Sequence, residues 1–418
     1  MAEVTRFPAF TNHTDTHRGN MRTRKIVPAL MALLICSFLP AKAAPIMDTG
    51  ARKKIDDVAE KAISGRSTPG CCVVIGTKRE VLFAKAYGRL TYDSDSPAAT
   101  LDTLYDMASC SKAVGTTSAT ALLLQDGKLS LDDPVSKYLP SWNRDDKRTI
   151  TIRNLAAHTS GLPAYTSADA AEARRRPDET HADALIEYIA SLPLKYQTNE
   201  GYTYSCLNLL TLARVNEEAA GTAQERFLRA RLFAPLGMSD TGYYLRRAKK
   251  LQCAPTIGGE GFRQGAVHDP LANYYRDGYH CPGNAGLFTT ANDLSKFCRM
   301  VLSGGMWGDK RIFAPETIDL FATNQIPDEV RTVHGVGWGI SRRLPYATAL
   351  NAGPRNACLT HSGYTGTFIE FDRLAGSFMV ILTNHVYPND TSPGNDIVRT
   401  VRRIMLETDP IYRGVLTP

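Results

Sequence analysis

Apolar residues recur with a helical period over residues 51–64, where Ile55, Val58, Ala59, Ala62 and Ile63 share one face. Pro69-Gly70 stops that pattern. Two β-rich runs follow, 71–75 and 80–87, around Gly76-Thr77-Lys78, which predicts a hairpin. In such a strand the adjacent Cys71 and Cys72 point to opposite faces. A helix is predicted from about 109 to 126, ended by Gly127. From 128 to about 300 the chain reads as helical segments and loops, with helices over 182–190 and 207–220, the second stopped by Gly221. Residues 292–302 read as a helix capped by Asn292 and ended by Gly304-Gly305. Strands return at 367–371 and 377–383 around a turn near Gly376, and a last helix carries Ile397, Val401 and Ile404. This order predicts an α/β (α+β) protein with one antiparallel sheet built from both chain ends. Its α/β part is about 50–108 and 330–418, and a mainly helical part, about 109–329, is inserted between. The pattern shows no internal repeat and no low-complexity segment.

Composition changes this picture little. With 418 residues, 43% hydrophobic and 22% charged, the chain has the make-up of a soluble globular enzyme, not of a disordered or fibrous protein. The start is different. From Met21, a basic stretch with Arg22, Arg24 and Lys25 precedes an apolar run over 26–39 and the small-x-small sequence Ala41-Lys42-Ala43. That is the pattern of a cleaved export signal over 1–43, with residues 1–20 as an upstream extension and Ala44 opening the main domain, 44–418. The apolar run is short for a membrane span, which needs roughly 20 residues. An uncleaved anchor is the alternative, so membrane contact is expected only through this segment, and the protein in the periplasm or cell envelope, or secreted. Six of the 49 basic and two of the 42 acidic residues lie there, so the net charge falls from +7 to +3 without them. No Lys/Arg block with interleaved aromatics follows, and no nucleic-acid partner is expected.

Nine cysteines are present and Cys36 lies in the export signal. The other eight form no C-x-x-C pair, so a zinc or thioredoxin site has no footing, and buried small apolar side chains are the reading preferred over disulfides. His158, His268, His280 and His361 read as hydrogen-bonded loop residues, not as metal ligands.

Three short motifs carry candidate chemistry. Ser109-Cys110-Ser111-Lys112 stands at a strand-to-helix switch, and three-residue spacing puts Ser109 and Lys112 on one helical face. A serine hydroxyl is a weak nucleophile and needs a base or cation beside it. An ammonium stabilises the developing alkoxide, and a desolvated lysine can also take the proton. Alone, S-x-x-K arises by chance about once in a chain of this size. Tyr204-Ser205-Cys206 opens a helix over 204–220, and a tyrosine there can shuttle a proton; alone it is an ordinary half-buried aromatic. His361-Ser362-Gly363-Tyr364 leads into the strand at 367, and Gly at a strand edge lets a substrate backbone pair alongside. The amides of Ser109 and Tyr364 could form an oxyanion hole.

Together and in this order the motifs resemble the serine β-lactamase and penicillin-binding protein superfamily, in its class C-like branch. Connecting stretches agree: Asp132-Asp133-Pro134-Val135, His158-Thr159-Ser160-Gly161-Leu162-Pro163, Pro235-Leu236-Gly237-Met238, Val267-His268-Asp269 and Asn284-Ala285-Gly286-Leu287-Phe288. The resemblance covers about 50–410. It implies a β-lactamase/D,D-peptidase-like fold with the site between the α/β and helical parts. It implies acyl transfer through a Ser109 ester, with Lys112 assisting deprotonation and Tyr204 shuttling the proton. His361, Ser362 and Gly363 line the substrate edge, the Ser109 and Tyr364 amides hold the oxyanion, and no metal or cofactor is required. The implied substrates are peptidoglycan-type peptides, β-lactams and related amides and esters.

Two departures bear on substrate. Cys206 stands where many relatives have Asn or Asp, and a thiol is a poor replacement for an amide that bonds the substrate. His361 replaces Lys, so any positive charge offered to a substrate carboxylate is partial, and KM would worsen as pH rises through about 6.5. A promiscuous carboxylesterase on the same residues is the second reading, and a non-catalytic penicillin-binding-like sensor is the third. There is no G-x-S-x-G elbow, H-E-x-x-H or phosphate-binding G-x-x-x-x-G-K.

Overall fold

The computed structural model describes residues 47–257, 262–340, 357–391 and 396–408. The stretch read as an export signal, with its expected cleavage site and Cys36, lies outside them. Among the described residues no helix is long and apolar enough to cross a membrane.

The apolar stripe of the first segment forms α1 (Thr49–Ser64), capped by the Asp48 carboxylate on the Ala51 amide at 2.7 Å. β1 (Gly70–Thr77) and β2 (Val81–Gly88) make the expected hairpin. The elements that matter next are β3 (Tyr105–Asp106), α2 (Thr117–Gln125), α3 (His181–Ser191), α4 (Cys206–Ala220) and α5 (Pro270–Tyr275). They are followed by β4 (Phe288–Thr289), α6 (Ala291–Leu302), β5 (Gly339–Ile340), β6 (Cys358–Ser362), β7 (Phe368–Asp372), β8 (Ser377–Thr383) and α7 (Ile397–Thr408). The main sheet has the order β2-β1-β8-β7-β6-β5 with every pairing antiparallel. Both chain ends therefore build it, as expected. The result is the mixed α and β architecture expected from the order of elements, one antiparallel sheet flanked by helices.

The sheet separates two cores, and β1 shows why its sequence suits that place. It is an apolar run buried on both faces. Cys71, Val73 and Ile75 join Ile55, Ala59, Met379, Ile381, Ile397 and Val401 under α1 and α7. Cys72 and Val74 join Phe297, Phe371, Phe378, Val380 and Leu382 on the opposite face. Ile55 and Ile381 are fully buried, and each such side chain stabilises by about 2 kcal/mol. Cys71, Cys72, Cys110, Cys206, Cys253, Cys281 and Cys298 are free thiols, and of these all but Cys206 are buried, as is Cys358.

Three local expectations are corrected. The pattern has 361–364 leading into the strand at 367 and predicts no strand before it, whereas His361 and Ser362 end β6, paired antiparallel with β7 through His361↔Ile369. Residues 358–362 carry neither alternation nor a long apolar run, so the strand has no period to read. Thr290, not Asn292, caps α6, its hydroxyl accepting from the Asp293 amide at 3.1 Å. Asn292 instead donates to Asp102 at 2.6 Å. Finally, α4 begins at Cys206, leaving Tyr204 in the loop before it.

Candidate active site

Ser109 stands in a turn between β3 and the helical run that enters α2. Its neighbour Ala108 has φ +46°, a left-handed conformation that costs a residue with a Cβ of order 1 kcal/mol or more. The turn is held from outside. The Asp106 carboxylate accepts the Ala108 N–H at 2.8 Å, and the Met107 carbonyl accepts the Thr367 hydroxyl at 2.9 Å. The expected helical face is realised: Lys112 Nζ donates to Ser109 Oγ at 2.9 Å. The helix is wound as a π-turn over Lys112–Thr116 before α2.

Lys112 is 1% exposed. Its second acceptor is the Asn284 carbonyl at 2.8 Å. Asn284 is itself placed by Asp269, which accepts its side-chain amide at 2.9 Å and caps α5. Burial works against the ammonium. The Cys206 thiol and Tyr204 hydroxyl, with Asp269 beyond, outweigh it and hold the lysine above its ordinary range. Lys112 is therefore a cation at neutral pH.

The loop before α4 delivers Tyr204. The Ser205 hydroxyl caps the helix and donates to the Pro163 carbonyl at 2.6 Å, and the Cys206 amide donates to the Ala164 carbonyl at 2.8 Å. Tyr204 is 38% exposed, and its ring centre lies 5.0 Å from Lys112 Nζ and 4.7 Å from the ring of His158. Asn208 faces inward, bonding Ser160 at 2.6 Å beside His158, so it does not replace the missing amide at Cys206.

The third motif closes the opposite side. A Cβ on Gly363 would stand 2.5 Å from the Met107 carbonyl, so only glycine lets β6 approach the Ser109 turn. Ser362 and Tyr364 are exposed. The backbone N–H groups of Ser109 and Tyr364 have no acceptor among the described residues. Free amides on both sides of a nucleophile are what an oxyanion hole requires. Cys110 packs beneath, against Thr367 and the His361 carbonyl, and burial pushes its thiol up to about 12, which makes it inert.

His361 departs from expectation. It is 7% exposed and its Nδ1 donates to the Ser362 carbonyl at 2.9 Å. Burial, with the Lys112 ammonium nearby, pulls it down to about 3. It is neutral and offers no partial charge to a carboxylate. Hence KM for a carboxylate substrate is expected to stay flat from pH 5.5 to 8. A KM rising severalfold over that range would restore the charged role.

His334, at about 4, and His158, well below its usual value, are held neutral mainly by the same burial. All three fold with depressed values. Their contribution to stability is present above about 6.5, the unfolded value, and is lost as pH falls toward the folded values. At about 1.4 kcal/mol per pH unit and per group, His334 alone removes on the order of 3 kcal/mol by pH 4. His268 and His280 shift upward, so their contribution is constant below 6.5 and does not compensate. Urea midpoints at pH 7 and 4.5 check this, and equal midpoints would refute it.

Sequence reasoning singles out Ser109, Lys112, Tyr204, Cys206, His361, Ser362, Gly363 and Tyr364, and the structure brings them close together around the Ser109 turn. It misses roles for Asn284, Asp106 and His158. Asp106 stands three residues before Ser109, and the other two lie in stretches that mark the family resemblance, but a backbone acceptor and a buried carboxylate leave no spacing signal.

The Beta-lactamase family profile matches residues 52–401. A provisionally named D-alanyl-D-alanine carboxypeptidase of Escherichia coli K12 is 28% identical over 347 residues, covering 76% of this chain and 78% of the relative. Among solved structures, EstCE1, a hydrolase with promiscuous acyltransferase activity, superposes with TM-score 0.67 at 22% identity, covering 85% of this chain and 98% of its own. A β-lactamase/D-alanine carboxypeptidase from Pseudomonas syringae gives 0.68 at 17% identity, covering 86% and 100%. The fold and the site define a serine hydrolase of the β-lactamase, D,D-peptidase and esterase type. The chain belongs to the β-lactamase family.

Proposed function

We propose that this chain is an exported hydrolase that works through a Ser109 acyl-enzyme on small amides and esters, D-alanyl cell-wall peptides and β-lactams among them. The observation that carries the reading is the 2.9 Å contact of Lys112 Nζ with Ser109 Oγ, flanked by two backbone amides with no acceptor among the described residues. Oγ attacks the substrate carbonyl carbon and an ester forms. Tyr204 takes the serine proton as it gives its own to the departing amine or alcohol. The Ser109 and Tyr364 amides hold the oxyanion, and Lys112 remains a cation throughout. Water then cleaves the ester by the reverse relay. Ser362 and Gly363 line the edge of β6 along which the acyl group lies. The names of the carboxypeptidase relatives support a place in the cell envelope, and the leader-like pattern of 21–43 supports export to it.

A carboxylesterase is the second reading, and it is favoured by two observations. His361 is neutral, and Cys206 offers a thiol where an amide would bind a peptide side chain. Three substrates separate the readings: p-nitrophenyl butyrate, a D-Ala-D-Ala tripeptide and benzylpenicillin with intact-mass detection of the adduct. Turnover of the tripeptide, or a penicillin adduct on wild type and not on Ser109→Ala, supports the peptidase reading. Ester turnover alone moves the assignment to the esterase. No Ser109-dependent turnover and no adduct sinks both. Cys206→Asn is expected to raise tripeptide or penicillin turnover severalfold and to leave the ester within about threefold, as an added substrate hydrogen bond contributes about 1 kcal/mol. An unchanged ratio would remove Cys206 as a determinant.

A further inference from the structure

One carboxylate outside the proposed relay touches both halves of the site. Asp106 is 1% exposed on β3. One of its oxygens accepts the N–H of Ala108, the left-handed residue before Ser109. The other accepts two bonds from His268, the backbone N–H at 2.9 Å and Nδ1–H at 2.9 Å. The His268 ring then lies flat against the ring of Tyr364, with centroids 5.8 Å apart and an interplanar angle of 13°. The backbone repeats the link, since the Thr365 hydroxyl donates to the Asp106 carbonyl at 2.8 Å.

A simpler role, an N-terminal cap, does not account for this. The Asp106 carboxylate accepts three N–H bonds, one from Ala108 in its own turn and two from the distant His268, and burying a carboxylate costs several kcal/mol unless such partners are supplied. The far end of the chain of contacts is the exposed ring of Tyr364, which nothing in folding requires to be held. That ring is held on a second side too, since its hydroxyl donates to Asp390.

We propose that Asp106 and His268 are positioning residues for the oxyanion hole. The carboxylate fixes the Ser109 turn, the imidazole fixes Tyr364, and together they set the gap between the two amides. This rests on the acyl-enzyme reading above. Other groups facing the pair are the charged Asp269 and Lys112 beside His268, and the titratable, neutral thiol of Cys253 beside Asp106. His268 is held above its usual range and Asp106 below its own, each chiefly by the other against the cost of burial.

The test uses p-nitrophenyl butyrate and a phenylboronic acid, whose tetrahedral adduct on Ser109 puts an oxygen in the hole. His268→Gln removes the ring and the Nδ1 bond. Tyr364→Ala removes only the exposed ring, keeps its amide and leaves the buried pair intact, so folding is not at risk. Each variant is expected to lower kcat about tenfold, with KM within about twofold and boronate affinity falling by the same factor as kcat. A purely structural role would lower the fraction of active protein and leave boronate affinity alone. Wild-type kcat and boronate affinity in either variant overturn the inference. A wild type that neither hydrolyses the ester nor binds the boronate overturns the acyl-enzyme reading, and this one with it.

Discussion

Ser109→Ala is expected to lower ester turnover by about 10³-fold or more while the protein stays folded. The size follows from the reaction class. Without Oγ no ester forms, and what remains is the weak help of the oxyanion amides and binding to attack by water, so the loss approaches the whole covalent contribution. Stability should barely move. The substitution deletes one oxygen from a half-buried turn. Lys112 keeps the Asn284 carbonyl at 2.8 Å, and the Ala108 N–H keeps Asp106. Initial rates and melting temperature, measured together, decide it. Residual activity above a tenth of wild type would place the nucleophile elsewhere, and unchanged penicillin binding without turnover would return the non-catalytic sensor to consideration.

How far the chain could be read follows from what each feature leaves in the sequence. The sheet's outer layers are written in periods: the stripe of Ile55, Ala59 and Ala62, and the alternation that sends Cys71 one way and Cys72 the other, reappear in two separate cores. Ser109 and Lys112 are three apart, and a helix enforces their contact, so that part of the site is also local. The rest is long-range. β6 carries His361 without an alternating pattern and is defined by its partner strands. The charge state of His361 is a second such case. As an isolated side chain it titrates near 6.5, and only burial against Trp338, Tyr204 and His334 makes it neutral. Asn284 contributes through its backbone, where residue type gives no clue.

Those environmental facts converge on Lys112, and Lys112→Met is the second large effect expected. Methionine matches the length of the lysine stem and carries no charge. The fold should tolerate it: a buried ammonium is costly, and removing it offsets the donor lost by the Asn284 carbonyl. A melting temperature within a few degrees of wild type is expected. Catalysis has no such compensation. His158, His334 and His361 are all held neutral by burial, so among the described residues around Ser109 they cannot stand in for the lost cation. The alkoxide that develops on Oγ then forms with no counter-charge beside it, and kcat should fall about 10²–10⁴-fold. The pH profile sharpens the argument. Lys112 is held above its ordinary range, so its charge persists as pH rises and is lost only beyond it. Wild-type kcat should show no alkaline limb from this residue between pH 7 and 9. A limb in that range that disappears in Lys112→Met would mean that the lysine titrates there and acts as a base. A kcat within tenfold of wild type in Lys112→Met would remove the cation from the mechanism altogether.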